Sequence, residues 1–151
     1  LFEPDETEIL LVEDNPTDLE LALGVFTKNR LANRIVVARD GTEALDFLFG
    51  TGAHAERGSV RLPKVVLLDL KLPKVDGLEV LRRIREDPRT RSVPVVVLTS
   101  SREEKDLVES YKLGVNSYIA KPVDFTQFGQ CLQEIGMYWL LSNATPKSYA
   151  P

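Results

Sequence analysis

Four short apolar runs in this 151-residue chain each stop abruptly at a polar residue, and that repeat limits the folds open to it. Ile9-Leu10-Leu11-Val12 meets Glu13-Asp14, and Val65-Val66-Leu67-Leu68 meets Asp69. Val95-Val96-Val97-Leu98 meets Thr99-Ser100, and Tyr118-Ile119-Ala120 meets Lys121-Pro122. Runs this short, rich in β-branched residues and without polar alternation, read as buried strands of a parallel sheet. Ile35-Val36-Val37-Ala38 supplies a further strand, and helical patterns separate them all. Strand and helix alternating in this way predict an α/β domain with a parallel sheet. Ligands of such sheets bind beyond the carboxyl ends of the strands. The pattern therefore predicts three carboxylates, a hydroxyl and an amine at one edge.

The segments between the strands carry helix signals. Asn15 is a candidate N-cap with Pro16 at the first helical position, and Leu19, Ala22, Leu23 and Phe26 share a face. Asp40-Gly41-Thr42-Glu43 resembles a capping arrangement, with Ala44, Leu45 and Leu48 turned inward. Asp76-Gly77-Leu78-Glu79 opens a helix with Leu78, Leu81 and Ile84 inward, and Asp87-Pro88 closes it. A fourth helix starts around Ser100–Glu104 and ends at Leu113-Gly114. The last begins near Asp124 and runs to about Leu141. Gly50–Arg61 has no clear period and is expected to be a surface loop, with His54 a solvated loop residue. One domain, 8–141, is expected, with terminal extensions 1–7 and 142–151 and no output domain.

Composition removes several function classes. A net charge of −4 argues against a basic nucleic-acid surface. The single cysteine, Cys131, allows neither an internal disulfide nor a cysteine metal site. No run approaches the roughly 20 apolar residues of a membrane span, and the first residues lack a signal-peptide pattern. A cytoplasmic protein is expected.

Glu13, Asp14 and Asp69 would leave neighbouring strands at the same end. Two carboxylates ~4 Å apart repel by about 4 kcal/mol at an effective dielectric of ~20. A divalent cation relieves that repulsion. All-oxygen ligation with room for water suits Mg²⁺, and Mn²⁺ is also suited. A carboxylate beside such an ion can attack phosphorus and form an acyl phosphate. Thr99 and Lys121 would donate to the other phosphoryl oxygens. There is no Walker loop to hold a nucleotide donor.

Leu10-Leu11-Val12-Glu13-Asp14-Asn15, Leu67-Leu68-Asp69-Leu70-Lys71-Leu72-Pro73, Asp76-Gly77, Leu98-Thr99-Ser100 and Ala120-Lys121-Pro122 resemble the receiver domain of two-component response regulators, over about residues 8–141. The resemblance implies a flavodoxin-like (CheY-like) doubly wound sheet of five strands, order 2-1-3-4-5, with five flanking helices. It implies that Asp69 accepts a phosphoryl group from the phosphohistidine of a sensor histidine kinase. Glu13, Asp14, Asp69 and the backbone carbonyl of Lys71 would hold Mg²⁺, and Thr99 and Lys121 would bind the phosphoryl group. Thr99 and Tyr118 would be switch residues, and Lys121-Pro122 a cis peptide. The 50–61 loop, the Asp69–Lys74 segment and Tyr138-Trp139-Leu140 resemble the small stand-alone regulators that partner bacterial phytochrome kinases.

With no output domain expected, the signal would leave through a partner interaction, onward phosphotransfer or a change of oligomeric state. The last helix carries more apolar surface than one sheet-covering stripe needs. A homodimer is therefore expected through Phe128, Leu132, Tyr138 and Trp139. Three rival readings follow from the same residues. A phosphatase or phosphotransferase with an Asp nucleophile wants an acid two residues on, where Lys71 stands. A flavin module wants a Ser/Thr-rich phosphate loop where Glu13-Asp14-Asn15-Pro16 stands. A degenerate receiver would lack a site residue, and none is missing.

Overall fold

A computed structural model of the chain describes residues 7–31, 34–57 and 62–143. Strands β1 (Ile9–Val12), β2 (Ile35–Ala38), β3 (Val65–Leu68), β4 (Val95–Thr99) and β5 (Ser117–Ala120) form one parallel sheet in the order β2-β1-β3-β4-β5. Between and after them run α1 (Pro16–Lys28), α2 (Gly41–Phe49), α3 (Gly77–Glu86), α4 (Glu104–Lys112) and α5 (Phe125–Gly136). The predicted topology is the observed one.

Period-two alternation divides the strand residues between two cores. Leu10, Val12, Val66, Leu68, Val95 and Val97 pack with Ala44, Leu45, Leu48, Val80, Leu81 and Ile84 from α2 and α3. Ile9, Leu11, Val65, Leu67, Val96 and Leu98 pack with Leu19 and Phe26 of α1 and Phe128, Leu132 and Ile135 of α5. The first cluster continues to Val115, just after α4, but the buried residues of α4 itself are Asp106 and Ser110. Four helices begin at the side-chain caps that the sequence offers. Asn15 accepts from the Asp18 amide, Asp40 from Glu43, Asp76 from Glu79 and Asp124 from Gln127.

Register brings the strand ends level. Val12 pairs with both Ala38 and Leu68, Leu68 with Val97, and Thr99 with Ala120. The residues that follow therefore emerge together along the carboxyl edge.

Three expectations are corrected. The loop expected at 50–61 contains a 3₁₀ turn, Gly52–Arg57, while residues 58–61 lie outside the described residues. Gly50 closes α2 in the left-handed region (φ 65°), and the Thr51 hydroxyl donates to Asp46 at 2.8 Å, which folds the chain back. His54 is accordingly half-buried, its ring edge-on to Phe47 at 5.3 Å, rather than a solvated loop residue. The last helix continues beyond α5 as a π-helical segment, Met137–Ser142. Of the four residues expected at a dimer interface, Phe128, Leu132 and Trp139 are buried in the second core and only Tyr138 is exposed. Their spacing is the stripe that covers the sheet, so it is consumed within the chain. Most of the expected terminal extensions lie outside the described residues. No helix among the described residues is long and apolar enough to cross a membrane.

Candidate functional site

Four of the five strand ends deliver a polar group to the site. Glu13 follows β1, Asp69 follows β3, Thr99 ends β4 and Lys121 follows β5. All four are buried, and Asp14 beside them is exposed. The Asp69 amide donates to Val12 O at 3.1 Å, continuing the ladder one residue beyond the strands and fixing the start of the site. Gly77 makes the next turn possible. A Cβ there would lie 2.4 Å from the Asp69 carbonyl oxygen, so only glycine lets α3 start this close to the Asp69 backbone.

Lys121 is the hub. Its ammonium donates to Glu13 Oε1 at 2.5 Å, to Asp18 Oδ2 at 2.8 Å and to Asp69 Oδ2 at 2.9 Å. The other oxygen of Asp69 accepts from the Thr99 hydroxyl at 2.8 Å and the Lys71 amide at 3.2 Å. Glu13 Oε2 accepts from the Asn15 amide at 3.1 Å. These contacts set the protonation. Burial pushes the Asp69 carboxyl up, but Lys121, Thr99 and the Lys71 amide outweigh it and hold the group below its ordinary value. Burial dominates at Glu13 and, with the charge of Asp69 nearby, raises its carboxyl to about 7 despite Lys121. Burial lowers the Lys121 ammonium, but three carboxylate partners raise it well above the usual lysine range. Lys121 therefore stays charged.

Carboxylate oxygens of Glu13, Asp14 and Asp69 lie within 4.8 Å of one another. Three hard oxygen donors at that spacing, one of them open to water, fit a divalent cation that keeps part of its hydration shell. Tyr118, half-buried on β5, donates its hydroxyl to Ser101 O at 3.1 Å. The expected cis peptide is corrected: no cis bond is present among the described residues, and Lys121–Pro122 is trans. The trans form is the favoured one even before proline. With it, the Lys121 amide donates to Thr99 O at 2.7 Å while the ammonium still reaches the acids.

The sequence reading missed Asp18 and Asp106. Asp18 lies in the first turn of α1, and its side chain reaches the edge to accept from the Lys121 ammonium at 2.8 Å. Asp106 lies in the first turn of α4. It is buried, accepts from the Ser101 hydroxyl at 2.5 Å and faces Lys71 at 3.8 Å. Its position between apolar Leu107 and charged Lys105 gave no sign of that burial.

A family model described as the response regulator receiver domain matches residues 9–133. Among curated proteins, the probable methanogenesis regulatory protein FilR2 of Methanothrix harundinacea is 46% identical over 91% of this chain and 86% of its own length. Response regulator Rcp1 of Synechocystis is 39% identical over 91% of this chain and 92% of its own. A crystal structure of Rcp1 in its Mn²⁺-bound form superposes with a TM-score of 0.86 at 38% identity, over 93% of this chain and 99% of that one. The phosphorylated cyanobacterial phytochrome response regulator RcpA gives 0.86 at 40% identity, with the same coverage. The bacteriophytochrome response regulator AtBRR is 58% identical, with a TM-score of 0.70 over 93% of this chain and 100% of that one.

Proposed function

This chain belongs to the response regulator receiver family, and from that premise we propose that Asp69 is the residue that takes a phosphoryl group from a sensor kinase's phosphohistidine. The observation that carries this is the setting of one carboxylate. Asp69 is buried, ionised and level with two donors, Thr99 at 2.8 Å and Lys121 at 2.9 Å, with Glu13 and Asp14 close by. In the transfer the N–P bond breaks and its electron pair returns to the imidazole. A bond forms from an Asp69 oxygen to phosphorus, and the imidazole takes a proton from solvent. Thr99 and Lys121 then donate to the phosphoryl oxygens. Both already reach Asp69, Lys121 with its ammonium fully charged, and Thr99 need only turn its hydroxyl from the carboxylate to the phosphoryl oxygens.

Glu13, Asp14, Asp69 and the backbone carbonyl of Lys71 would hold Mg²⁺, which when bound neutralises charge on the transferring group. The reading is of a phosphoacceptor rather than a turnover enzyme. The position where a phosphatase would carry its acid is Lys71, whose ammonium faces Asp106. The kinase partner is proposed to be a bacterial phytochrome, on the strength of RcpA and AtBRR. A homodimer is proposed through the exposed C-terminal apolar side chains Met137, Tyr138 and Leu141 rather than the buried stripe. Transfer of radiolabelled phosphate from an autophosphorylated bacteriophytochrome kinase tests the assignment. Label should reach the wild-type chain with Mg²⁺ and be absent from Asp69→Asn; label persisting on that variant refutes it.

A further inference from the structure

Ser101 stands two residues after Thr99 and is bonded through every polar atom it has. Its amide donates to Thr99 Oγ1 at 3.2 Å, and its hydroxyl donates to Asp106 Oδ2 at 2.5 Å. The same hydroxyl accepts from the Glu103 amide at 3.4 Å, and its carbonyl accepts from the Tyr118 hydroxyl at 3.1 Å. Ser101 and Asp106 are both only 7% exposed. Asp106 also faces the ammonium of Lys71 at 3.8 Å, on a side chain that is mostly in water.

These bonds hold a helix that has little else. The N-cap of α4, Glu103, makes no side-chain capping bond, and the helix buries only Asp106 and Ser110. The Ser110 hydroxyl, fully buried, has no hydrogen-bond partner among the described residues. The apolar side chains Val108 and Tyr111 are exposed instead. Polar contacts are directional, so α4 has one well-fitted resting position rather than a broad apolar one.

We propose that Asp106 is a positioning residue: a latch that holds Ser101, and through it Thr99, in the resting arrangement and so opposes phosphoryl binding at Asp69. The inference rests on the reading of Asp69 given above. A phosphoryl group on Asp69 places new acceptor oxygens beyond the carboxylate. The Thr99 hydroxyl, now donating to Asp69 Oδ1, must turn toward them. Its acceptor side is held by the Ser101 amide, and Ser101 is held by Asp106. Thr99 can follow the phosphoryl group only by carrying Ser101 off Asp106 or by giving up the Ser101 amide. The Asp106 bond thus belongs to one of two states and biases the equilibrium toward it. Releasing it also frees the Tyr118 hydroxyl and the first turn of α4, which carries the change to the surface around Val108 and Tyr111.

The test is the affinity of the full chain for beryllium fluoride, a non-covalent phosphoryl mimic, in saturating Mg²⁺, followed by the ¹⁹F resonance of the bound fluoride. Asp106→Asn and Asp106→Ala should bind it about fivefold more tightly or better, with Mg²⁺ affinity alone unchanged within about twofold. A role confined to stability predicts the opposite sign, because loosening a fold does not tighten a ligand. Ser101→Ala removes the other half of the same bond and should also tighten binding, which keeps the test decisive where an Asp106 variant fails to fold. Equal or weaker binding in the folded variants overturns the latch. A wild-type chain that shows no Mg²⁺-dependent bound resonance, or shows the same one after Asp69→Asn, overturns the reading of Asp69 and the latch with it.

Discussion

At the scale of single residues, Glu13 and Asp69 share one ammonium yet are driven in opposite directions. Asp69 receives three donors, Lys121, Thr99 and the Lys71 amide, which together overcome its burial. Glu13 receives Lys121 and one amide, and burial prevails, lifting its carboxyl from 4.5 to about 7. Between those two values the folded chain binds more protons than the unfolded one, so the Glu13 contribution to stability falls as pH rises through that window. Glu13→Gln removes the titration. The variant should gain about 1–3 kcal/mol over wild type by pH 8, with almost no difference at pH 4.5, as read from urea unfolding at each pH. A gap that does not grow with pH contradicts the account. The same proton competes with a cation. Mg²⁺ affinity by calorimetry should rise from pH 6 to pH 8 with net proton release, and that pH dependence should vanish in Glu13→Gln. Asp69, the proposed acceptor, was legible as a site residue because it ends an apolar run in a set of such ends. Asp18 and Asp106 were not, because each needed a helix orientation before its partner could be known.

At the scale of elements, local rules and tertiary packing divide the explanation. The strands, their order and four of the helix starts were legible, since apolar runs and Asn/Asp caps act over a few residues. The 3₁₀ turn was not, because it depends on Thr51 reaching back to Asp46. The start of α4 was legible only to within Ser100–Glu104, for a similar reason. Ser101 is held by Thr99, Asp106 and Tyr118, and the helix begins at the far end of that stretch, at Glu104. The fit between elements can be tested with two glycines. Gly77→Ala drives a Cβ against the Asp69 and Leu70 backbone, which cannot yield without moving Asp69, and should cost about 2–3 kcal/mol. Gly24→Ala sits in α1 with open space around its Cβ and should gain about 0.5–1 kcal/mol from helix propensity alone. Thermal unfolding of the two variants decides it: a Gly77 variant as stable as wild type would contradict the close approach.

At the scale of the whole molecule, the sheet gathers chemistry that is scattered along the chain, from Glu13 to Lys121, into a single edge, and α4 and α5 expose the surfaces that could report on it. The apolar stripe of α5 was legible as a stripe but not as to what it covers, because a sheet face and a second chain make the same demand on sequence. With Phe128, Leu132 and Trp139 buried, the proposed association would use the exposed Met137, Tyr138 and Leu141. Light scattering should give a dimer mass for the wild type and a monomer mass for Tyr138→Asp or Leu141→Asp; a wild type that is monomeric at every concentration rules the interface out. The central claim, that Asp69 receives the phosphoryl group, has a direct measurement. The chain is treated with phosphoramidate and Mg²⁺, trapped with borohydride and mapped by peptide mass spectrometry. Modification should fall on Asp69 alone and disappear when a chelator is present. Modification at another residue, or a yield indifferent to the metal, would contradict the account.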